Sequence, residues 1–308
     1  MDGSGIYRAR ETAGLVVRGL AIGTADLVPG VSGGTVALVT GIYGRLVAAI
    51  GSGALGAGRL IRGDPGGAVR AFGRVDWRFL LTVVAGAVVS VAALARVVED
   101  LLRDHPVRIA AVFFGLIAGA IVVAWWQIRT PGVVHAAMAA IVGAAAFVLF
   151  GLRGVAVHDP GWYVFAAAGA LAICAFILPG VSGSFLLLAI GMYQHALGAV
   201  TDLRIGALLS LAAGAAAGLG LFSRLLEWLL ERYHDLVVAT MIGLMVGSFR
   251  ILWPWPNGLG DEDGIGATLL GTPGPDIVVP VTLALVGCLL VIGFATWAAG
   301  SAARNRGR

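Results

Sequence analysis

Two copies of one short motif hold the residues of this sequence that are best suited to chemistry. The first copy is V-P-G-V-S-G-G-T, from Val28 to Thr35, and the second is L-P-G-V-S-G-S-F, from Leu178 to Phe185. Both lie in long apolar runs, where proline removes a backbone donor and glycine weakens a helix by about 1 kcal/mol relative to alanine. In hydrocarbon, the backbone groups freed by such a break need partners. Because the break recurs in matching positions, we expect it to have a function.

The chemistry that these breaks favour is the binding of an anion. A helix that begins after Pro-Gly leaves its first amides without partners, and its positive dipole end favours negative charge. Serine can cap such a start, and glycine lets a ligand approach the backbone. The predicted substrate-binding residues are Pro29, Gly30, Ser32, Gly33, Gly34, Thr35, Pro179, Gly180, Ser182, Gly183 and Ser184. If both breaks approach the membrane midplane, they face one cavity that suits a phosphate or carboxylate; the competing interpretation is two packed kinks.

A second group of candidate residues lies near the breaks. Asp26 precedes Pro29 by three residues and could carry protons or fix a neighbouring amide or arginine. Arg45 and His195 correspond in the two copies, and each could capture a headgroup phosphate or extend to the membrane surface. Two further residues, Tyr43 and Tyr193, could donate to a phosphate oxygen or lie in the interfacial aromatic belt.

The composition predicts the environment in which these residues act. The chain has 308 residues with mean hydropathy +0.93, and 59% of them are hydrophobic while only 12% are charged. This is typical of a polytopic membrane protein and not of a soluble one. All 21 basic residues are arginines, which we assign to cytoplasmic loops rather than to nucleic-acid binding. Cys174 and Cys288 lie in apolar runs and are expected to pack there.

Other motifs of catalysis and cofactor binding are missing from the sequence. It contains no H-E-x-x-H, no G-x-S-x-G and no P-loop, and its histidines do not cluster. We therefore predict no metal site, no cofactor and no enzymatic activity. An N-terminal signal peptide is not evident either, because the start is polar and no small-residue cleavage site follows a short apolar core.

The similarity between the motifs extends into an internal repeat. The run from Pro29 to Gly33 matches the run 150 positions later, and the same offset relates Gly41 to Gly191 and Tyr43 to Tyr193. Further along, the offset is 128, and it relates Gly86, Arg96, Glu99, Gly115, Gly119 and Trp125 to Gly214, Arg224, Glu227, Gly243, Gly247 and Trp253. The first half therefore contains 22 additional residues, located around positions 51–76. Such internal repeats are common in secondary transporters.

Each half is predicted to contain one broken pair of apolar arms followed by three full segments. The arms could form a re-entrant hairpin or two spanning helices, and we favour the hairpin because each arm is short for a bilayer that needs about 20 residues. Either choice gives an odd number of crossings, so the two copies must lie in opposite orientations. The sequence thus predicts an all-α membrane protein with one domain, 1–308, in which repeat 1 covers 12–151 and the inverted repeat 2 covers 161–299.

The arginines predict the orientation of this domain. With the N-terminus inside, 13 loop arginines lie on the inner face and six on the outer face. This excess follows the positive-inside rule. Both termini are therefore predicted to be cytoplasmic.

The doubled signature, G-T-A-D-L-V-P-G-V-S-G-G-T…G-I-Y with I-L-P-G-V-S-G-S-F…G-M-Y, resembles a bacterial membrane family. These are the PopT-type polyprenyl-phosphate translocases, formerly a family of unknown function, and the resemblance covers nearly the whole chain. It implies that the protein returns undecaprenyl phosphate from the outer to the inner leaflet of the cytoplasmic membrane for cell-envelope synthesis. Separately, we expect protons or another ion as a coupling partner. Many members of the family carry a carboxylate directly after the signature tyrosine, whereas this sequence has Gly44 and Gln194.

Two rival functions remain open on the sequence. One is a secondary transporter of a small soluble anion, which needs a hydrated path closed to lipid. The other is a membrane scaffold or an intramembrane enzyme.

Overall fold

The computed structural model of the protein describes residues 3–26, 33–151, 157–181, 183–255 and 270–306. All regular elements within these ranges are α-helices, as the sequence predicts. In chain order they are α1 (Gly3–Asp26), α2 (Gly33–Val39), α3 (Tyr43–Ile61), α4 (Pro65–Phe72), α5 (Trp77–Asp104), α6 (Pro106–Trp125), α7 (Val133–Leu149), α8 (Trp162–Ile177), α9 (Gly183–Ala189), α10 (Tyr193–Thr201), α11 (Ile205–Ser248) and α12 (Val278–Arg306).

Four of the described helices are long and apolar enough to cross a membrane. The segments with this property are Trp77–Leu94, Pro106–Trp125, Ile205–Ser248 and Val278–Thr296. Helices α7 and α8 are apolar but shorter. The 44 residues of α11 would extend about 66 Å at 1.5 Å per residue, which is about twice the hydrocarbon thickness of a bilayer. Helix α11 is accordingly two helical segments joined at Tyr233, whose φ of −134° and ψ of 41° are not helical.

The interruption in α11 has a counterpart in the first half of the chain. His105 separates α5 from α6, and its φ of −136° and ψ of 52° nearly equal those of Tyr233. These two residues are 128 positions apart, which is the offset found in the sequence. The pair α5–α6 and the two segments of α11 therefore share one backbone plan.

Close packing between helices also recurs at corresponding glycines. Gly86 of α5 lies against the backbone of α1 at Val16, and Gly214 of α11 lies against the backbone of α8 at Ala166. A Cβ atom at either glycine would collide with that backbone. Contacts of this kind let helices approach closely in an apolar environment.

The remaining long helices pair across the halves of the chain. Gly115 and Gly119 of α6 lie against α12 at Ala284 and Cys288. The corresponding Gly243 and Gly247 of α11 lie against α7, at Ala139 and Ala146 among others. Thus α12 covers a helix of the first half, and α7 covers a helix of the second half.

At each signature the chain reverses direction. Gly33, the first residue of α2, lies beside Ile22 and Asp26 of α1, and Gly183 of α9 lies beside Ala172 of α8. Each short helix thus returns along the helix that precedes it.

The second arm of each pair is two helices, α2 with α3 and α9 with α10, whereas the sequence predicts a single apolar arm. In the first copy the amide of Ile42 donates to Ala37 O at 2.9 Å, and Gly41 has a φ of +72°. Met192 donates to Leu187 O at 2.8 Å, and Gly191 has a φ of +71°. This is the Schellman ending of a helix, which favours glycine in the left-handed region. The G-I-Y and G-M-Y sequences are therefore turns.

The additional residues of the first half lengthen α3 and form α4. Helix α3 has 19 residues, whereas α10 has nine. Helix α4 packs on α3 and starts with proline after Asp64, whose carboxylate accepts a hydrogen bond from the amide of Gly67 at 2.7 Å. The insertion predicted around positions 51–76 is thus helical.

Candidate functional site

The two signature segments contact each other directly. The amide of Gly180, in the second signature, donates a hydrogen bond to Oγ1 of Thr35, in the first, at 3.0 Å. Thr35 is only 3% exposed, so this bond lies inside the bundle. Gly180 has a φ of +82°, and a Cβ atom there would lie 2.7 Å from the backbone of Met245. Two stretches 145 residues apart in sequence therefore meet at one place.

A second buried hydrogen bond connects the same regions. The hydroxyl of Tyr43, at the start of α3, donates to the carbonyl oxygen of Ile177 at 3.1 Å. Ile177 ends α8 just before the second break, where carbonyl groups lack helical partners. Tyr43 is 4% exposed and therefore lies in the core rather than at a membrane interface.

The carboxylate of Asp26 closes the first break. Its Oδ1 accepts a hydrogen bond from the amide of Gly33 at 2.6 Å, so the last residue of α1 binds the first amide of α2. Fixing a neighbouring amide is one of the two roles that the sequence suggests for Asp26. A Cβ atom at Gly33 would lie 2.8 Å from this carboxylate and 2.7 Å from Ile22, so glycine is needed for the approach.

The other residues predicted to bind substrate have different locations. Gly34, Pro179 and Gly183 are buried in the described region, and Ser184 lies in the first turn of α9. Four members of the set lie outside the described residues: Pro29, Gly30, Ser32 and Ser182. The described members from the two copies lie around the contact between Thr35 and Gly180.

Arg45 belongs to a charged cluster at one end of the bundle. Its Nε and Nη2 donate to Oδ2 of Asp76 at 3.0 and 2.6 Å, and Nη1 lies 3.6 Å from the carboxylate of Glu11. The guanidinium also lies 4.3 Å from the ring centroid of Phe79. Hydrogen bonds from Arg45 and from the amide of Phe79 lower the pKa of Asp76. The positive charge of Arg45 is thus balanced by carboxylates of the protein.

The corresponding residues of the second copy, Tyr193 and His195, lie at the start of α10. A ring nitrogen of His195 lies 2.8 Å from Val157 O, and Tyr193 is half-buried at the start of α10. Gly44 and Gln194, which follow the two tyrosines, are both exposed, and a Cβ atom at Gly44 would meet nothing within 4 Å.

A cavity of about 360 Å³ lies next to the contact between the signatures. Helices α1, α2, α6 and α12 line it with Val17, Ala21, Thr24, Ala25, Thr35, Val36, Val39, Thr40, Phe113, Leu116, Ile117, Ala120, Leu290, Val291 and Phe294. Two of its three threonine hydroxyls donate within the protein: Thr24 donates to Leu20 O at 2.9 Å, and Thr40 donates to Val36 O at 2.7 Å. The cavity therefore offers a hydrocarbon surface, which suits an apolar ligand.

Sequence reasoning missed this cavity, although one signal points to it. Val17, Ala21 and Ala25 recur at every fourth position of α1, which places them on one helix face. Such a stripe is typical of core packing, and the sequence does not show that α6 and α12 leave space in front of it.

Among the described residues, no group of three or more His, Cys, Asp or Glu side chains is arranged to hold a metal ion. The polar chemistry of the region comes from backbone amides, threonine hydroxyls, Tyr43 and Asp26.

Comparisons with known proteins agree on one family. The model of the undecaprenyl phosphate translocase-like family matches residues 22–263. A polyprenyl-phosphate transporter of Vibrio cholerae serotype O1 is 39% identical over 245 residues, which cover 79% of this chain and 78% of that protein. A polyprenyl-phosphate transporter of Staphylococcus aureus is 28% identical over 259 residues, covering 78% of this chain and 85% of that protein. No solved structure matches.

The matched range includes both signatures, the residues that join them and the helices that line most of the cavity. The chain has several candidate membrane spans, as expected for a relative of membrane transporters. The chain is therefore a polytopic membrane protein that belongs to the undecaprenyl phosphate translocase-like family.

Proposed function

We propose that this protein transports undecaprenyl phosphate across the bacterial cytoplasmic membrane, from the outer to the inner leaflet, so that the lipid carrier is recycled for cell-envelope synthesis. The observation that carries the proposal is the hydrogen bond between Gly180 and Thr35, which joins the two signatures beside an apolar cavity. A polar backbone site next to a hydrocarbon surface suits a lipid with one phosphate. It suits a small soluble anion less well, because such a substrate needs a hydrated path.

The architecture that we propose is an inverted repeat of 12–151 and 161–299. Its support is the recurrence of the chain reversal, the Schellman turn, the interruption at His105 and Tyr233, and the glycine contacts. Helices α2 and α9 have seven residues each and extend about 10 Å, which is too short to cross a bilayer. This length favours re-entrant hairpins. We propose in addition that both termini are cytoplasmic.

The headgroup site in this proposal is formed by the residues around the two breaks. Amides of the signatures and the hydroxyl of Thr35 would donate to the phosphate oxygens. Asp26 accepts a hydrogen bond from the amide of Gly33, so a phosphate that binds this amide must displace the carboxylate or find it protonated. Asp26 is accordingly our candidate for proton coupling. Arg45, His195 and Tyr43 have protein partners, which favours structural roles for them.

The test is transbilayer movement of labelled undecaprenyl phosphate in proteoliposomes. Wild type should move the lipid, whereas Ser32→Leu/Ser182→Leu should not, because leucine blocks both breaks. Thr35→Val should reduce movement and lower the free energy of unfolding by about 1–3 kcal/mol, since the buried amide of Gly180 loses its acceptor. Thr35→Ser keeps the acceptor, so its lipid movement and its free energy of unfolding should be near those of wild type.

Stability and membrane insertion of each variant are measured on the same preparations. Normal transport by the double leucine variant would disprove the role of the breaks. No transport by folded wild type, with or without a proton gradient, would disprove the proposed function and favour the soluble-anion alternative.

A further inference from the structure

Arg18 is a charged side chain inside α1 that the proposed function leaves unused. Its Nε is buried and has no hydrogen-bond partner among the described residues. The ion pairs of the described chain involve other residues, and the cluster around Arg45 does not include Arg18. Arginine within a membrane segment normally pairs or contacts a ligand. A buried guanidinium nitrogen without a protein partner is suited to an anionic ligand.

The position of Arg18 along α1 is intermediate between two polar regions. Glu11, which contacts Arg45 at the charged end of the bundle, is seven residues or about 10 Å away. Asp26, at the first break, is eight residues or about 12 Å away in the other direction. Arg18 therefore lies midway between the charged end and the signatures.

The side chain is directed toward the charged end. A Cβ atom built on Gly14, one turn before Arg18, would lie 3.2 Å from its Nη1. This agrees with the general tilt of helical side chains toward the N-terminus. The glycine leaves space for the guanidinium to lie along the helix.

Arg18 does not line the apolar cavity itself but lies next to residues of α1 that do. Ala25 lines the cavity and is seven residues further on, which is about 20° short of two full turns. Val17 and Ala21, on either side of Arg18 in the helix, line the cavity too. A cation and a hydrocarbon surface are thus adjacent along one helix face.

Packing alone does not explain an arginine at this position. The corresponding residue of the repeat is Ala168 in α8, which is 1% exposed. The same place in the same backbone plan is thus filled by a methyl group. The charge at Arg18 is specific to the first half.

We propose that Arg18 binds the phosphate headgroup of an anionic lipid at a station between the charged end of the bundle and the signatures, with the apolar chain in the cavity. Guanidinium donates to phosphate through two parallel hydrogen bonds, which makes arginine the preferred side chain for such a headgroup. The identity of the lipid as undecaprenyl phosphate rests on the proposed function. The site itself requires only a phosphate and an apolar chain.

The experiment compares lipid binding to the full-length wild type and to Arg18→Gln by native mass spectrometry. The probes are undecaprenyl phosphate, the uncharged undecaprenol and phosphatidylglycerol. We expect Arg18→Gln to bind undecaprenyl phosphate at least about tenfold more weakly than wild type, because hydrogen bonds to a charged group are lost. Binding of undecaprenol should not change, and Arg18→Lys should recover part of the loss.

Arg62→Gln is the matched control, because Arg62 is exposed at the end of α3 and its replacement removes the same charge. It should bind undecaprenyl phosphate like wild type. Unchanged binding by Arg18→Gln would overturn the proposal and indicate that Arg18 merely extends to the surface. Equal weakening for undecaprenol would overturn it too, because the effect would then not involve the phosphate.

Two outcomes separate this proposal from the proposed function. If wild type moves no lipid in proteoliposomes but Arg18→Gln still weakens binding, the headgroup site stands and the proposed function fails. If phosphatidylglycerol shows the same loss as undecaprenyl phosphate, the site is supported as one for anionic lipids in general.

Discussion

The two signature regions of this protein, which we propose to be hairpins, have the same backbone plan but different side-chain chemistry. The first hairpin, α1–α3, and the second, α8–α10, share the Pro-Gly break, the chain reversal and the Schellman turn. At five pairs of corresponding positions, however, the first has a polar or charged side chain and the second does not. The pairs are Arg18 with Ala168, Thr24 with Cys174, Asp26 with Phe176, Thr35 with Phe185 and Thr40 with Ile190.

The repeat thus preserves a backbone shape, while the first copy carries polar side chains around the break that the second copy lacks. Gly33 begins α2 against the carboxylate of Asp26, whereas Gly183 begins α9 beside the side chain of Phe176. The second hairpin contributes to the first mainly through its backbone, as the amide of Gly180 and the carbonyl of Ile177 show. Variants that alter one hairpin should therefore not have the effect of the matching change in the other.

The largest effect is expected at Gly180, where the second hairpin meets the first. Gly180→Ala puts a Cβ at a φ of +82° and within 2.7 Å of the backbone of Met245. We expect a loss of about 3 kcal/mol or more in the free energy of unfolding and no transport, because both strain and overlap oppose the native state. Thermal unfolding in nanodiscs and the proteoliposome assay measure these effects.

Two glycines serve as graded controls for this variant. Gly41→Ala has the same unfavourable φ but open space around its Cβ, so a loss of roughly 1 kcal/mol is expected. Gly44→Ala lies in a helix with open space and should be neutral or slightly stabilising. If Gly180→Ala were as mild as Gly41→Ala, the close contact at the signatures would be wrong.

A smaller effect on stability, but a large one on transport, is expected at Asp26. Asp26→Asn keeps an oxygen that can accept from the amide of Gly33 but cannot carry the coupling proton. We expect a stability change of about 1 kcal/mol and at least a tenfold loss of transport driven by a proton gradient. Transport rates with and without the gradient provide the measurement.

The matching change in the second hairpin tests the asymmetry. Phe176 is half-exposed and leucine is also apolar, so Phe176→Leu should leave both stability and transport near wild type. Equal transport loss in Asp26→Asn and Phe176→Leu, or full transport by Asp26→Asn, would contradict a special role for the first hairpin.

The smallest effect is expected at the charged end of the bundle. Asp76→Asn removes a partly exposed ion pair with Arg45, which typically contributes about 1 kcal/mol or less. The lowered pKa of Asp76 means that its contribution is present above pH 3.8, its ordinary pKa, and is lost as pH falls below that value. Unfolding measured from pH 7 to pH 3 should show this acid-side loss in wild type and not in Asp76→Asn. An identical pH profile in both proteins would argue against the ion pair.

Much of the fold could be predicted because its signals are local or periodic. Long apolar segments indicated the helices, and the Pro-Gly breaks indicated where helices are interrupted. The difference between the two offsets indicated the insertion that contains α4. The Schellman turns at Gly41 and Gly191 were missed because isolated glycines in apolar runs also occur within membrane helices. The turn depends on a left-handed backbone that the residue type permits but does not require.

The candidate site was predictable only in its components. The signatures, Asp26 and Tyr43 stand out by type and spacing, but the bonds from Gly180 to Thr35 and from Tyr43 to Ile177 join residues more than 130 positions apart. Such pairings depend on how helices assemble. The same is true of the cavity, whose walls come from α1, α2, α6 and α12.

The exchange of partners between the halves has a consequence for biosynthesis. Helix α6 presents Gly115 and Gly119 to α12, which is translated after every other described helix. The first half thus remains uncovered at this glycine-lined surface until the second half has been made. Co-expression of the two halves as separate chains should therefore allow assembly, whereas the first half alone should be a substrate for membrane quality-control proteases.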